Sequence, residues 1–248
     1  MKYFTYIFIV ITLLACDSEN AIDCFQTAGN TIQQEIEVES FDKILVNRDI
    51  TLVVRESTRH SVLIETGSNL INDVDVKVKN NQLILTDNNN CNLVRDFGIT
   101  KITVSTPTLS EIRTSTQYTI SSEGELGFEN LTLISENFNM PGTFTVGDFD
   151  LQINANSLTV VSNGLSAFYL RGSVNNLSLS FFSGQARVES ANLIAQNVEV
   201  FHRGSNDMIV NPQQSITGSI VATGNVIAKN QPPIVDVEEL FNGRLIFN

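Results

Sequence analysis

The sequence contains no tryptophan, three cysteines, five prolines and two histidines in 248 residues. Each shortage excludes something. Without tryptophan, a core must be filled by Ile, Leu, Val and the 15 phenylalanines. The few histidines and cysteines form no HExxH or CxxC pattern, and neither GxSxG nor a Gly-rich phosphate loop occurs. Cationic residues are also scarce: 15 Lys and Arg stand against 27 Asp and Glu, a formal charge of −12. Nucleic acid is therefore not an expected partner, because its phosphates demand a basic surface. The same charge excludes an electrostatic grip on anionic lipid. It does not by itself make a Ca²⁺ site, which needs clustered oxygen ligands. No cofactor or metal is expected. Long apolar runs are missing after residue 20, and so are amphipathic helical stripes.

The N-terminus decides the compartment. Lys2 precedes an apolar run from Phe4 to Leu14, too short to cross a bilayer core of about 30 Å. A basic start, a short apolar core and a small-residue stop describe a signal peptide over residues 1–15. The stop, Leu13-Leu14-Ala15-Cys16, resembles the bacterial lipobox, with a small residue at the cut and a thiol after it. Cys16 is thus the expected lipidation site, and residues 16–35 an acylated tether starting with polar Asp17-Ser18-Glu19-Asn20. The expected location is the cell envelope, lipid-anchored at the outer membrane. The alternative is an ordinary secretory signal in which Cys16 falls beside the cut.

Cys24 and Cys91 remain, and an exported protein sits where disulfides persist. Only one intramolecular pairing is possible; it would close a loop of roughly 68 residues, worth about 4 kcal/mol on the chain-entropy model. Two unrelated thiols, or metal ligation, are the alternatives.

What is present reads as β-structure. Ile44–Val46, Ile50–Val54, Ser61–Glu65 and Ile99–Val104 are short strand patterns broken by Asn, Gly and Ser. Val74-Asp75-Val76-Lys77-Val78 alternates, turns at Asn80-Asn81 and returns as Leu83-Ile84-Leu85, which predicts a hairpin. In the second half, Gly164, Gly184, Gly204 and Gly224 recur at one constant interval, each following Val161, Phe181, Phe201 or Val221 at the same distance. A fixed period of about 20 residues marks a solenoid, whose repeats stack to build a continuous core. The expected fold is all-β: a right-handed parallel β-helix-like solenoid over 36–248, with each coil as long as the glycine interval. Glycines would supply positive φ at its corners, asparagines would bond their own backbone, and Val237–Asn248 would form a cap. A β-sandwich with regular turns is the alternative.

Several segments in fixed order carry a family resemblance: Ser40-Phe41-Asp42-Lys43-Ile44, Ile50-Thr51-Leu52-Val53-Val54, Val62-Leu63-Ile64-Glu65-Thr66-Gly67, Asn69-Leu70-Ile71, and Val76 through Leu85. Ile102-Thr103-Val104-Ser105-Thr106-Pro107-Thr108-Leu109 and Gly218 through Val226, on to Pro232-Pro233-Ile234, continue it. Together they resemble the family described as putative auto-transporter adhesin, head GIN domain, over about residues 36–246. The resemblance implies a β-helix-like fold on an exported protein and no defined activity. Cys24-Phe25 with Cys91-Asn92-Leu93-Val94-Arg95 resembles a subgroup with paired cysteines, which supports the bridge. Arg113-Thr114-Ser115-Thr116-Gln117 departs from the Gly-Ser-Gly-rich segment that such proteins carry, so this corner is expected to be built differently.

Catalytic candidates are weak. His60 lies in a turn and reads as solvated; His202 sits at a coil corner beside Arg203. Lyases and hydrolases on β-helices need acids converging on one face, and on the glycine interval none of Asp150, Glu189, Glu199 and Asp207 shares a phase with another, except Glu189 loosely with Asp207. An enzyme is therefore not expected. Of Phe168, Tyr169, Phe181 and Phe182, most would fill the core. The adjacent pair Phe181-Phe182 must split between the two faces, making Phe182 the candidate ligand contact for a glycan or surface protein. A structural envelope protein with no ligand is the rival expectation.

Overall fold

The computed structural model describes residues 23–89 and 91–248; Cys16 and the expected signal lie outside the described residues. The first ten strands are β1 (Thr31–Ile36), β2 (Lys43–Val46), β3 (Ile50–Glu56), β4 (Ser61–Gly67), β5 (Val74–Lys79), β6 (Gln82–Asp87), β7 (Thr100–Thr106), β8 (Glu111–Thr114), β9 (Ile120–Leu126) and β10 (Asn130–Ser135). Four long ones follow, β11 (Phe149–Ser162), β12 (Ala167–Phe181), β13 (Arg187–His202) and β14 (Met208–Ile220). Then come three short ones, β15 (Val226–Ala228), β16 (Ile234–Glu239) and β17 (Leu245–Phe247). Short 3-10 turns occupy Asp23–Phe25 and Ile71–Asp73, and no α-helix occurs among the described residues.

The strands form one strongly curled mixed sheet with two walls. One wall runs β5-β6-β2-β8-β10 and continues through the second halves of β11 to β14 into β16. The other runs β1-β4-β7-β3-β9 and continues through the first halves of β11 to β14 into β15 and β17. Pairing is parallel except for β1–β4, β4–β7 and β5–β6. β1 lies inside the stretch expected to be tether, so the folded body starts earlier than residue 36. The expected hairpin is present as β5 and β6: Lys79 faces Gln82, and Asn80 and Asn81 take φ of 53° and 63°, the left-handed pair that a tight two-residue turn requires.

Between the walls, apolar side chains stack strand upon strand. One column passes through Ile64, Ile102, Leu52, Ile120, Phe149, Phe168, Val188, Met208 and Val226, all buried. The facing wall contributes Leu83, Ile44, Ile112, Leu133, Val160, Leu179 and Val200. Phenylalanine fills the space that tryptophan would otherwise take. Phe149 stacks on Phe168 at 5.0 Å, Phe168 meets Phe181 at 5.8 Å, and Phe181 meets His202 edge-on at 6.1 Å.

The glycine interval describes the chain only on average. Ser162, Phe181, His202, Ile220 and Glu239 share a column, and the steps between them are unequal: longest from Phe181 to His202, shortest from His202 to Ile220. A one-residue change in register turns a side chain to the other face. Hence the inward column is Ser162-Phe181-His202-Ile220, and Val161 and Phe201 point outward with Ser180 and Ser219. Of Val161, Phe181, Phe201 and Val221, all expected in the core, only Phe181 is buried. The corner glycines have a different reason as well. Among Gly164, Gly184, Gly204 and Gly224, only Gly184 has positive φ (86°). A Cβ on Gly184 would lie 2.3 Å from the Gly164 carbonyl oxygen, and one on Gly224 would lie 2.2 Å from that of Asn206. Contact between successive turns selects glycine there more than backbone angle does.

The asparagines correct their expectation too. None of Asn156, Asn175, Asn176 or Asn197 has positive φ. Where the long strands bend from one wall to the other, Asn175 donates to Asn156 Oδ1 at 3.0 Å, Asn197 to Asn176 Oδ1 at 3.3 Å, and Ser215 to Asn197 Oδ1 at 2.9 Å. Each amide therefore bonds the next strand. The segment expected as a C-terminal cap holds the end of β16, paired with β14, and β17, paired with β15.

At the Arg113–Gln117 corner, Thr114, Ser115 and Thr116 are buried, and the Thr116 hydroxyl donates to the Ile50 carbonyl at 2.9 Å. Beside them Arg113 donates to Glu136 at 2.8 Å, both buried. Glu136 also accepts from the backbone N–H groups of Phe138 and Asn139 and from the Asn139 amide. Burial alone would raise the Glu136 pKa; the Arg113 hydrogen bond and those from residues 138–139 outweigh it and lower it. His60, expected in solvent, is half-buried, packed 4.8 Å from Phe41 and bonded to the Thr106 hydroxyl. His202 is fully buried, with Nε2 against the Asn206 carbonyl at 2.8 Å and Nδ1 accepting from the Gly204 N–H. Burial pushes its pKa down.

These buried groups set two measurable outcomes. Glu136→Ala removes the short carboxylate partner of the buried Arg113 guanidinium, leaving the longer contact to Glu111 at 4.0 Å and the backbone carbonyl of residue 136, and should cost about 3 kcal/mol in denaturant unfolding. Burial makes His202 harder to protonate in the fold than in the unfolded chain, where it takes up a proton below about pH 6.5. Stability is therefore flat above that pH and falls as pH drops below it. Unfolding midpoints at pH 7.5 and 5.5 should differ in the wild type, and the difference should shrink in His202→Gln.

Candidate functional site

On the outward face of the β1-to-β17 wall, register places Asp150, Tyr169 and Glu189 side by side on three neighbouring strands. Gln152, Arg171 and Asn192 form the adjacent column. Asp150 and Glu189, expected to share no phase, are thus aligned with Tyr169 between them. The reason is that the step from Asp150 to Tyr169 falls short of the glycine interval by a single position. The Arg171 guanidinium donates to Asp150. Arg187 donates to the Tyr169 hydroxyl at 2.6 Å, lies 5.6 Å from the Tyr169 ring centre, and reaches Glu189 at 3.7 Å. The Tyr169 hydrogen bond, ahead of the charges of Tyr169, Glu189 and Asp148, raises the Arg187 pKa.

A β-bulge shapes this cluster. Between the pairs Tyr169–Glu189 and Arg171–Asn192, β12 contributes Leu170 alone, whereas β13 contributes Ser190 and Ala191. Ser190 turns inward and donates to the Ile209 carbonyl at 2.6 Å. The extra residue interrupts the ladder and opens a shallow cavity of about 240 Å³ lined by Tyr169, Leu170, Arg171, Glu189, Ala191 and Asn192. Bulges of this kind re-aim side chains beside binding sites.

Phe182 lies at the far end of β12, past the bend at Asn175–Asn176. It is 40% exposed, while Phe181 is fully buried, so the pair splits between faces. Its ring packs 5.5 Å from that of Phe201. Phe182 and Tyr169 thus occupy separate walls and do not form one site. Sequence reasoning does not bring Tyr169, Arg171 and Arg187 together, because a uniform period hides the register that aligns them. The signal available was an aromatic at position 169 standing close to one interval from an acid on either side.

Cys24 and Cys91 are joined by a disulfide, with Cα atoms 4.5 Å apart. Among the described residues, no group of three or more His, Cys, Asp or Glu side chains is placed to hold an ion. No helix among them is long and apolar enough to cross a membrane.

Comparison with known proteins matches this geometry. A crystal structure described as a putative adhesin from Bacteroides fragilis superposes with a TM-score of 0.77 at 24% identity, covering 90% of this chain and 99% of that one. A protein from Parabacteroides distasonis described as a putative lipid binding protein gives 0.60 at 15% identity, over 88% and 97%. A putative adhesin from the same species gives 0.56 at 15% identity, over 89% and 99%. At these identities the likeness concerns the fold. Among curated proteins none matches this chain. The family model described as putative auto-transporter adhesin, head GIN domain, matches residues 40–232, and the chain belongs to that family.

Proposed function

We propose that this chain is a non-enzymatic recognition module of the cell envelope, lipid-anchored through Cys16 at the outer membrane, that binds a glycan or a surface protein. Membership of an adhesin family supports a place at the cell surface, and Leu13-Leu14-Ala15-Cys16 supports the anchor. The frame reads as a right-handed parallel β-helix-like solenoid. The consecutive parallel pairing of β11 with β12, β12 with β13, β13 with β14 and β14 with β16 supports it, where a sandwich would pair antiparallel strands.

The Tyr169 column carries the reading. Tyr169 is 37% exposed, and a phenol ring offers an apolar face beside a polar tip. Around it stand two guanidiniums, two carboxylates and the amides of Gln152 and Asn192, which suit a ligand dense in hydroxyl groups. Asp150 and Glu189 are each engaged by an arginine and have side-chain exposures of 46% and 35%. Glycoside hydrolysis asks for one carboxylic acid kept protonated beside the bond it cleaves. Two solvated, ion-paired carboxylates favour binding over such chemistry. Phe182 with Phe201 gives a second, smaller aromatic contact on the other wall.

Purified protein screened on a glycan array and against envelope extracts should bind saturably. Tyr169→Ala should weaken that binding about tenfold or more without moving the thermal midpoint, and Phe182→Ala should weaken it less. No saturable binding in either screen would remove the recognition reading and leave a structural role.

A further inference from the structure

Two of the most exposed apolar side chains among the described residues, Phe97 and Leu93, lie on the two segments joined by the disulfide. Phe97 is 75% exposed, Leu93 69%, Val94 51% and Phe25 50%. These segments are held firmly in that presentation. The disulfide joins Cys24 to Cys91, and the Leu93 N–H donates to the Cys24 carbonyl at 3.0 Å. Arg95 donates to the carbonyls of Gln26 and Cys91 at 3.0 and 2.8 Å. The bend closes on itself through Asn92, which accepts from the Arg95 N–H and donates to the Asp96 carbonyl. Covalent and polar restraints therefore hold four large apolar side chains outward, which leaves apolar surface in water without return unless something covers it.

The length of the chain decides what covers it. Cys24 is eight residues beyond Cys16, so even a fully extended tether places the staple within about 29 Å of the acylated sulfur. The spacing is short and polar, and the effective concentration of lipid at the staple is correspondingly high. A net charge of −12 offers no long-range attraction to anionic headgroups, so an apolar contact is the one the surface can supply. Asp96, exposed between Arg95 and Phe97, would sit at headgroup depth, where a charge remains hydrated.

We infer that the disulfide-stapled segments around Cys24 and Cys91 form a membrane-interface foot, with Phe25, Leu93, Val94 and Phe97 dipping into a lipid bilayer beside the Cys16 anchor. The foot sets the orientation of the body on the membrane. It rests on the lipoprotein reading for its location, while its contact with lipid is a property of the staple alone.

The absence of tryptophan makes the test direct. Phe97→Trp in the full chain, processed by its host and reconstituted with zwitterionic phosphatidylcholine–phosphatidylethanolamine vesicles, places a single indole on the foot. Phe182→Trp places one on the upper wall as a control. Both are also made with Cys16→Ser. Emission from position 97 should shift to the blue on adding vesicles and be quenched by lipids carrying bromine in their acyl chains, in both backgrounds, whereas position 182 should not respond. Leu93→Asp in the Cys16→Ser background should reduce vesicle partition about tenfold, and so should reduction of the disulfide. An indole at 97 that stays water-exposed with vesicles present overturns the proposal. So does a blue shift that needs no lipid and grows with protein concentration, which would assign the foot to a second copy. Equal partition of the wild type and Cys16→Ser, with no acyl mass on the protein, would sink the anchor alone; the signal from position 97 would still decide the foot.

Discussion

Parallel pairing of each long strand with the next, at the strand spacing of about 4.8 Å, is the constraint on which the rest of this structure depends. Once β11, β12, β13 and β14 are in register, every position has a neighbour above and below of the same orientation. Inward positions must be apolar or small, as Phe149, Phe168, Val188 and Met208 are. Outward positions become ladders, and a ladder of polar side chains can satisfy itself. The Asn156–Asn175 and Asn176–Asn197–Ser215 bonds do this at the bend. Where two turns of backbone touch, nothing larger than glycine fits, as the Gly184 contact with Gly164 shows.

The same constraint makes local irregularity consequential. An extra residue in a lone hairpin is absorbed at its turn, whereas here it shifts everything stacked above it or must be taken out of the ladder. The Ser190-Ala191 bulge takes it out. By removing a residue from the column it restores the register beyond and leaves a gap over Tyr169. The cavity beside Tyr169 thus originates in a strand longer than its neighbour.

Much of this was legible in the sequence. The hairpin at Asn80-Asn81, the β-rich body and the repeating glycines follow from turn chemistry and period, which act locally. The division of Phe181 from Phe182 followed from strand alternation. What failed were statements needing register over long distance. Val161 and Phe201 share a phase with Phe181 on a strict period. Yet the step into Phe181 is one position short and the step out of it one position long, and both neighbours turn outward. Tyr169 was hidden for the same reason. His202 in the core is a further case: nothing local marks an imidazole as buried when its partners are the Asn206 carbonyl and the Gly204 N–H, formed only by the corner itself.

The charge balance constrains how the proposed foot can meet lipid. A body carrying −12 would be repelled by an anionic surface if its carboxylates lay against it. Lifting them clear limits that cost to the few charges near the foot, such as Asp96. Apolar contact at the foot and an acidic body are therefore compatible where the foot, and not the carboxylates, meets the surface.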